Sequence, residues 1–391
     1  MNYMYGKTGC LTLPCKLLFV VNDATYFISH RLPIAIAARN EGFDVHVAAP
    51  EGYATTAIVD AGFTYHPIPL TRKGTNPWKE FNSIIALLRL YCRLQPYLVH
   101  HVTIKPMIYG GIAARLMQVP AVINAVTGLG YVFIAKGFKA LLLRSAVKLG
   151  YRAAFSNRNQ RVIFQNPDDS STFLKAGIVA SRDIVLIRGS GVDTSIFAPQ
   201  PEPQVTPLVV LPSRMLWDKG AGEFVNAAKL LQAKGVVARF VLVGETDPGN
   251  PAAVPTVQLE AWRDSGVVEW WGRSNNIPAI FAQAHVVCLP SYREGVPKVL
   301  IEAAACGKSI VTTDVPGCRE IVRHGENGLL VPVRDSKALA DALQILIENP
   351  ALRAQMGARG REIAVAEFSE EQVIKETLSV YNELLKDKWQ E

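Results

Sequence analysis

Short runs of aliphatic and β-branched residues recur along the chain and alternate with longer stretches whose apolar positions follow a helical period. In the first half the runs fall at 16–21, 44–49, 64–68, 98–102, 121–125, 161–165 and 184–187, with helical patterns at 29–40, 77–94 and 106–117 between them. A second set falls at 208–212, 239–243, 267–271, 286–289, 309–312 and 328–331. Nearly continuous apolar runs belong to strands covered on both faces, and their alternation with helices predicts parallel sheets of the α/β class. Gly189-Ser190-Gly191 and the prolines at 199, 201, 203 and 207 interrupt the pattern. They predict a first domain at 1–189, a linker at 190–206 and a second domain at 207–368. A final helical pattern at 370–385 follows an already complete second domain. The fold class expected is α/β, two doubly wound, Rossmann-like parallel-sheet domains facing a cleft.

Length agrees with this division, since 391 residues exceed one ordinary core and fit two domains of roughly 150 to 200 residues. The apolar run Leu17 to Val21 is too short for a signal-peptide core or a membrane span, and Asn22-Asp23 ends it. Cys10, Cys15, Cys92, Cys288, Cys306 and Cys318 show no C-x2-C spacing, which predicts reduced thiols in a cytosolic protein and no zinc site.

Charge changes the picture. The net charge of +7 is concentrated between Glu80 and Asp168, where no acidic residue occurs and Arg89, Arg93, Lys105, Arg115, Lys136, Lys139, Arg144, Lys148, Arg152, Arg158 and Arg161 do. A basic span implies an anionic partner: nucleic acid, a membrane surface or a phosphorylated substrate. Without aromatic–basic interleaving or a helix-turn-helix pattern, nucleic acid is not expected. Within the span, 137–152 sets Lys139, Arg144, Lys148 and Arg152 near one side of a helix and Phe138, Leu141, Leu142 and Leu149 near another. Such a helix is either a packed element with a solvated basic face or one that lies on an anionic bilayer without spanning it.

Ligands of open parallel sheets bind beyond the carboxyl ends of strands, so the loops there carry the candidate chemistry. The run at 286–289 leads into Ser291-Tyr292-Arg293-Glu294-Gly295-Val296-Pro297, with Pro297 expected as the first residue of a helix that continues through Glu302. Glu294 then lies on a strand-to-helix loop, and the amides of Gly295 and Val296 sit at the positive helix end, suited to a phosphate or sugar oxygen. Glu294 as a simple complement to the helix dipole, and Glu302 as a surface glutamate, are the plainer readings. After 208–212, Arg214 and Lys219 offer a planar fork and a point charge for a diphosphate. Gly244 and Gly272-Arg273 close two further strand ends. In the first half the candidates are His30, His100, Lys105 and Thr127. Thr127-Gly128-Leu129-Gly130-Tyr131 lacks the rest of a dinucleotide fingerprint, so no Rossmann cofactor is expected, and no D-x-D stretch is positioned to hold a metal.

Taken together, the block from Ser291 through Ala303 to Ala304-Ala305-Cys306-Gly307 closely resembles the donor-site signature of glycosyltransferase family 4, retaining transferases of the GT-B fold. The likeness is more specific in the second half than in the first. It implies that Arg214 and Lys219 bind the donor diphosphate, Glu302 the ribose hydroxyls and Glu294 the sugar, with Gly272 and Arg273 at the nucleobase. It also implies that the final helix crosses back onto the first domain. Three departures stand out: Ser213 precedes Arg214 where the family usually has Gly, the loop 22–31 lacks the glycine pair of many relatives, and only His100 of their His-x-His is kept. The resemblance implies metal-independent transfer from a nucleotide-diphosphate sugar, often UDP-linked, to an undecaprenyl-diphosphate-linked sugar, by a cytoplasmic protein held on the inner face of the membrane. An epimerase of the non-hydrolysing UDP-N-acetylglucosamine type and a nucleotide-sugar-binding protein without turnover share the architecture. A hydrolase using Glu294 and Glu302 is disfavoured, because hydrolysis needs no diphosphate clamp.

Overall fold

The computed structural model describes residues 14–70, 76–128 and 147–386. Among them, β1 (Lys16–Val20), β2 (Asp44–Ala49), β3 (Thr64–Pro67), β4 (Leu98–Val102), β5 (Ala121–Val126), β6 (Gln160–Phe164) and β7 (Ile184–Leu186) form one sheet in the order β3-β2-β1-β4-β5-β6-β7. The second sheet joins β8 (Leu208–Pro212), β9 (Arg239–Val243), β10 (Glu269–Gly272), β11 (Val286–Leu289), β12 (Ser309–Thr313) and β13 (Gly328–Val331) in the order β10-β9-β8-β11-β12-β13. Every pairing is parallel. Strands β4, β5, β8 and β12 are buried along their whole length; β8 accordingly reads as an unbroken apolar run, while β4, β5 and β12 carry polar residues into the interior. In each sheet the order reverses between two paired strands, β1 with β4 and β8 with β11, and their carboxyl ends open the crevice where ligands of such sheets bind.

The structure differs from the helical expectations at three places. The pattern at 29–40 is two helices, Ala24–His30 and Leu32–Asn40, broken at Arg31, because Pro33 has no N–H to donate and its ring excludes the carbonyl four residues back. The first of these starts earlier than expected, since Asp23 caps it by accepting from the Thr25 and Tyr26 amides. The pattern at 106–117 opens as a wide π-turn at Pro106–Gly110 before Gly111–Leu116. Gly110 permits this, since a Cβ there would lie 2.4 Å from the His101 ring. Pro297 is the N-cap rather than the first helical residue, and the helix is Lys298–Ala305.

The last helix, Glu370–Leu385, packs on the first sheet. Val373, Val380, Tyr381, Leu384 and Leu385 share a core with Leu17, Phe19, Val45 and Leu98. Tyr381 Oη lies 2.6 Å from His100 Nδ1, Asn159 Nδ2 donates to the Leu384 carbonyl at 2.9 Å, and Arg161 pairs with Glu383 at 2.5 Å.

His100 and His101, adjacent on β4, point to opposite faces and both are buried. His101 Nδ1–H donates to Asn124 Oδ1 at 2.9 Å, which leaves Nε2 to accept from Tyr91 Oη at 2.7 Å. Burial pulls His101 and His66 down to about 4 and His100 well below the ordinary histidine value. The unfolded chain takes up these protons near pH 6.5 and the folded chain does not, so their contribution to stability is whole above about pH 6.5 and is lost as pH falls toward about 4. Thermal midpoints measured across that window should fall steadily, with a shallower slope in His101→Gln; a wild-type midpoint that stays level from pH 7 to about 4.5 contradicts neutral burial.

Candidate active site

Pairing of β8 with β11 brings together loops that lie about eighty residues apart in sequence. The Tyr292 amide donates to the Asp218 carbonyl at 2.8 Å. Gly220 lies in the left-handed region at φ +76°, and a Cβ there would stand 2.2 Å from the Pro290 carbonyl oxygen, so only glycine lets the two loops touch. The contact sets Lys219 Nζ on Glu294 Oε1, which also accepts from Ser291 Oγ at 2.7 Å. Arg214, nearly half exposed, donates through Nη1 to Asp247 Oδ2 at 2.6 Å. Asp247 is held by backbone pairing of Met215 with Glu245 and of Trp217 with Ala252. Tyr292 is fixed from both sides, its hydroxyl donating to Glu223 at 2.7 Å and the Arg334 guanidinium lying 4.5 Å from its ring centre.

At the start of Lys298–Ala305, neither the Gly295 nor the Val296 amide donates to a protein acceptor among the described residues. Gly295 is pressed between backbones: a Cβ there would lie 2.4 Å from the Thr127 carbonyl oxygen, and one on Gly317 would lie 2.0 Å from the Gly295 carbonyl oxygen. The Val296 side chain is buried beside Gly189, so its part in any ligand contact is confined to the backbone. Glu302 lies one turn further in with its carboxyl 3.9 Å from Lys298 Nζ; burial raises its pKa above the usual carboxylate range and Lys298 opposes the rise. Lys298 Nζ also donates to the Ser29 carbonyl at 2.7 Å, across the cleft.

Other expected residues are placed differently. The Gly244 amide donates to the Gly272 carbonyl at 2.7 Å, its carbonyl accepts from Trp270 Nε1 at 2.8 Å, and a Cβ would lie 1.9 Å from the Ser213 carbonyl oxygen, so loop packing by itself requires glycine at 244. Gly272, at φ +67°, has open space beside it, and Arg273 is exposed on that wall. The Tyr53 phenol of the first domain, bonded to Thr25 Oγ1 at 3.1 Å and beside the Arg273 guanidinium, is held below the ordinary tyrosine value by both. His30 stacks on Tyr26 with ring centres 4.1 Å apart and takes Ser29 Oγ at 2.7 Å. Burial, then the charges of Lys298 and Arg31, pull His30 down to about 3, so it is a neutral hydrogen-bonding group. His100 does not face the cleft: its ring stacks on Phe19 and bonds Tyr381, because the final helix covers that face of β4. Lys105 pairs with Glu80 at 2.6 Å and is not a loose cation over the cleft. Thr127 lies at the cleft with its carbonyl against Gly295.

Of the basic stretch, 137–146 lies outside the described residues, as do Leu129, Gly130 and Tyr131 of the loop after β5. Leu149 is exposed, and Arg152, also exposed, gives its donors to the Gly177 and Ala176 carbonyls at 3.0 and 2.7 Å. Among the described residues no helix is long and apolar enough to cross a membrane, and no cluster of potential ligands could hold a metal ion. Sequence reasoning missed Lys298, Asp247 and the pair Asn166 and Asp169. The Asn-Pro-Asp-Asp run at 166–169, an N-cap before a first-turn proline, was the available signal for the last two.

Two doubly wound sheets meeting at their carboxyl edges, with paired cations and a helix start on one side, define a GT-B transferase. Residues 16–166 match the glycosyl transferase 4-like family and residues 192–363 the glycosyl transferases group 1 family. The chain is 28% identical over 382 residues to the N,N'-diacetylbacillosaminyl-diphospho-undecaprenol alpha-1,3-N-acetylgalactosaminyltransferase of Campylobacter jejuni, covering 92% of this chain and 99% of that one. It is 26% identical to the UDP-Gal:alpha-D-GlcNAc-diphosphoundecaprenol alpha-1,3-galactosyltransferase of Escherichia coli, over 80% of this chain and 82% of that one. The crystal structure of Anabaena HepE in complex with UDP-glucose superposes with a TM-score of 0.74 at 21% identity, covering 93% and 99% of the two chains. With a glycosyl transferase 4-like region followed by a glycosyl transferases group 1 region, the chain is a GT-B glycosyltransferase.

The Gly220 contact yields a direct check on this geometry. In Gly220→Ala the left-handed backbone costs about 1 to 2 kcal/mol, and the clash with a backbone oxygen has no side-chain escape, so the loops must part. Turnover should drop at least about tenfold while the protein stays folded by circular dichroism; near-normal turnover would mean that Lys219 and Glu294 need not be held together by this contact.

Proposed function

We propose that the protein is a retaining, metal-independent glycosyltransferase that moves an N-acetylhexosamine or hexose from a UDP-sugar to an undecaprenyl-diphosphate-linked sugar in surface polysaccharide or glycan assembly. The observation that carries the reading is the contact of Lys219 with Glu294 at the β8–β11 crevice, with the Gly295 and Val296 amides and Glu302 on the helix start that follows and Arg214 on the loop that carries Lys219. Breaking the bond between sugar and diphosphate builds negative charge on the leaving group, and cations fixed in advance stabilise that charge most where it develops. Arg214 rests on Asp247 and Lys219 on Glu294. A donor diphosphate would take over both cations, which frees the Glu294 carboxylate for the sugar hydroxyls. Glu302, behind the first turn, would hold the ribose.

Retention follows if the acceptor hydroxyl attacks from the side the diphosphate leaves, passing its proton to the departing phosphate. Neutral His30 at the cleft supplies a hydrogen bond there but, with a pKa of about 3, no stored proton. The cations supply the charge a divalent ion would otherwise bring, which supports metal independence. The lipid-linked acceptor and the UDP-sugar donor are supported by the Campylobacter and Escherichia relatives, whose names carry diphospho-undecaprenol and UDP-galactose. A peripheral place on the cytoplasmic face of the membrane is supported by the acid-free basic span of the first half.

If the clamp is as drawn, Arg214→Ala and Lys219→Ala each lose about 2 to 4 kcal/mol of transition-state stabilisation, read as kcat/KM at fixed acceptor. Near-normal turnover of both at saturating donor would sink the clamp.

The reaction itself is tested by incubating UDP-sugars with and without a lipid-diphosphate sugar, weighing products by mass spectrometry and reading the new anomeric centre by NMR. The expected outcome is acceptor-dependent transfer with the donor's configuration, undiminished by EDTA. An altered sugar nucleotide formed without acceptor would support the epimerase instead, and activity abolished by EDTA and restored by magnesium would overturn metal independence.

A further inference from the structure

The loop carrying Glu294 is held by the first domain as well as by the second. Asn166 caps the helix Pro167–Lys175, its Oδ1 accepting from the Asp169 amide at 2.8 Å. An N-cap requires only that oxygen. The Asn166 amide group is spent elsewhere: Nδ2 donates to Asp169 Oδ2 at 3.1 Å and, across the cleft, to the Gly295 carbonyl at 2.9 Å. The other oxygen of Asp169 receives Arg293 Nη2 at 2.7 Å. Asn166 is fully buried and Asp169 is 1% exposed, while the Arg293 side chain is 26% exposed, so the ring made by Asn166, Asp169, Arg293 and Gly295 is shielded from water on its first-domain side. Its two second-domain members stand on either side of Glu294 in the chain. The Thr127 carbonyl against Gly295 and the Lys298 bond to the Ser29 carbonyl lie alongside. Nothing in the Lys219–Glu294 pair requires Arg293, and nothing in the helix cap requires Gly295. What these extra bonds do is fix the loop to the opposite domain.

We propose that Asn166, Asp169 and Arg293 are positioning residues that set the Glu294–Val296 loop from the first domain, so that the sugar half of the donor is bound only with the two domains closed. The proposal rests on the reading of this crevice as a nucleotide-sugar site. Arg214, Lys219 and Glu302 all belong to the second domain and hold the nucleoside diphosphate whether or not the clamp is made. The sugar, against Glu294 and the Gly295 and Val296 amides, is the part that depends on it. By linkage, the sugar then favours closure as much as closure favours the sugar.

Asn166→Ala, Asp169→Asn, Arg293→Ala, the conservative Arg293→Lys and the double variant Asp169→Asn/Arg293→Ala test this. Calorimetry compares UDP with the best bound of UDP-glucose, UDP-galactose and their N-acetylamino forms; small-angle scattering compares radii of gyration with and without them. UDP affinity should stay within about threefold of wild type while UDP-sugar affinity and kcat fall at least about tenfold. The double variant should be no worse than the worse single one, because both break one ring. Arg293→Lys should recover part of the loss, and the alanine variants should be more expanded in scattering. Equal losses for UDP and UDP-sugar, or unchanged UDP-sugar affinity and unchanged radius in folded variants, overturn the clamp. Should the wild type bind a UDP-sugar and transfer nothing, the functional reading fails while the affinity comparison still judges the clamp; should it bind none, the radii of the ligand-free variants judge it.

Discussion

The cleft depends on backbone meeting backbone at distances that no side chain would permit. At Gly220 the loop after β8 touches the loop after β11, and at Gly295 the latter touches Thr127 from one side and Gly317 from the other. A methyl group at any of these points would stand roughly an ångström inside the closest approach of real carbon and oxygen atoms. Glycine here is therefore a spacing requirement, and the placing of charged groups follows from it: Lys219 reaches Glu294 because Gly220 and Pro290 are in contact, and Gly295 can present its carbonyl to Asn166 because it has no Cβ to hold Thr127 away.

Charge at the site is arranged in pairs. A lone cation near a half-buried helix start would carry a desolvation penalty, whereas Lys219 with Glu294 and Arg214 with Asp247 are compensated. Such pairs contribute little to stability on balance, but they keep both partners in fixed geometry, so the cations at the crevice are oriented in advance. Glu302 and Asp218 show the other side of this arrangement, since burial raises both carboxyls while Lys298 and Lys219 respectively pull against the rise.

The second domain was largely legible in the sequence because its chemistry is local. Strand, turn, glycine and charged residues for each half of the site follow one another within ten or so positions, and doubly wound topology then dictates that the loops after β8 and β11 meet. The first domain was not legible in this way. Whether His100 faced a cleft or a core was decided by Tyr381, 281 residues away, and whether Lys105 was free was decided by Glu80 on another helix. Helix breaks were missed for a related reason: Pro33 could be read as a break in hindsight, but the π-turn before Gly110 answers to the buried His101 ring, a tertiary neighbour.

This difference has a physical root in what each domain does with its polar groups. On the second sheet the charged ones stand at or beyond strand ends, where loops are short and geometry is set within a few residues, and the buried polar ones are the small Ser309, Thr312 and Thr313 of β12. On the first sheet His100, His101, Asn124 and Gln160 are drawn into the core and bonded there, His100 to Tyr381, His101 to Tyr91 and Asn124, and Gln160 to the Phe155 carbonyl. Buried polar networks of that kind fix one packing arrangement at the expense of side chains that could otherwise touch a ligand. The first domain therefore meets the cleft mainly through backbone and small polar groups, the Thr127 and Ser29 carbonyls and the Asn166 amide, and these act on the second domain's loop. Two sheets of nearly the same topology have thus been put to unequal uses, one to carry the charged groups and the other to hold the loop on which they stand.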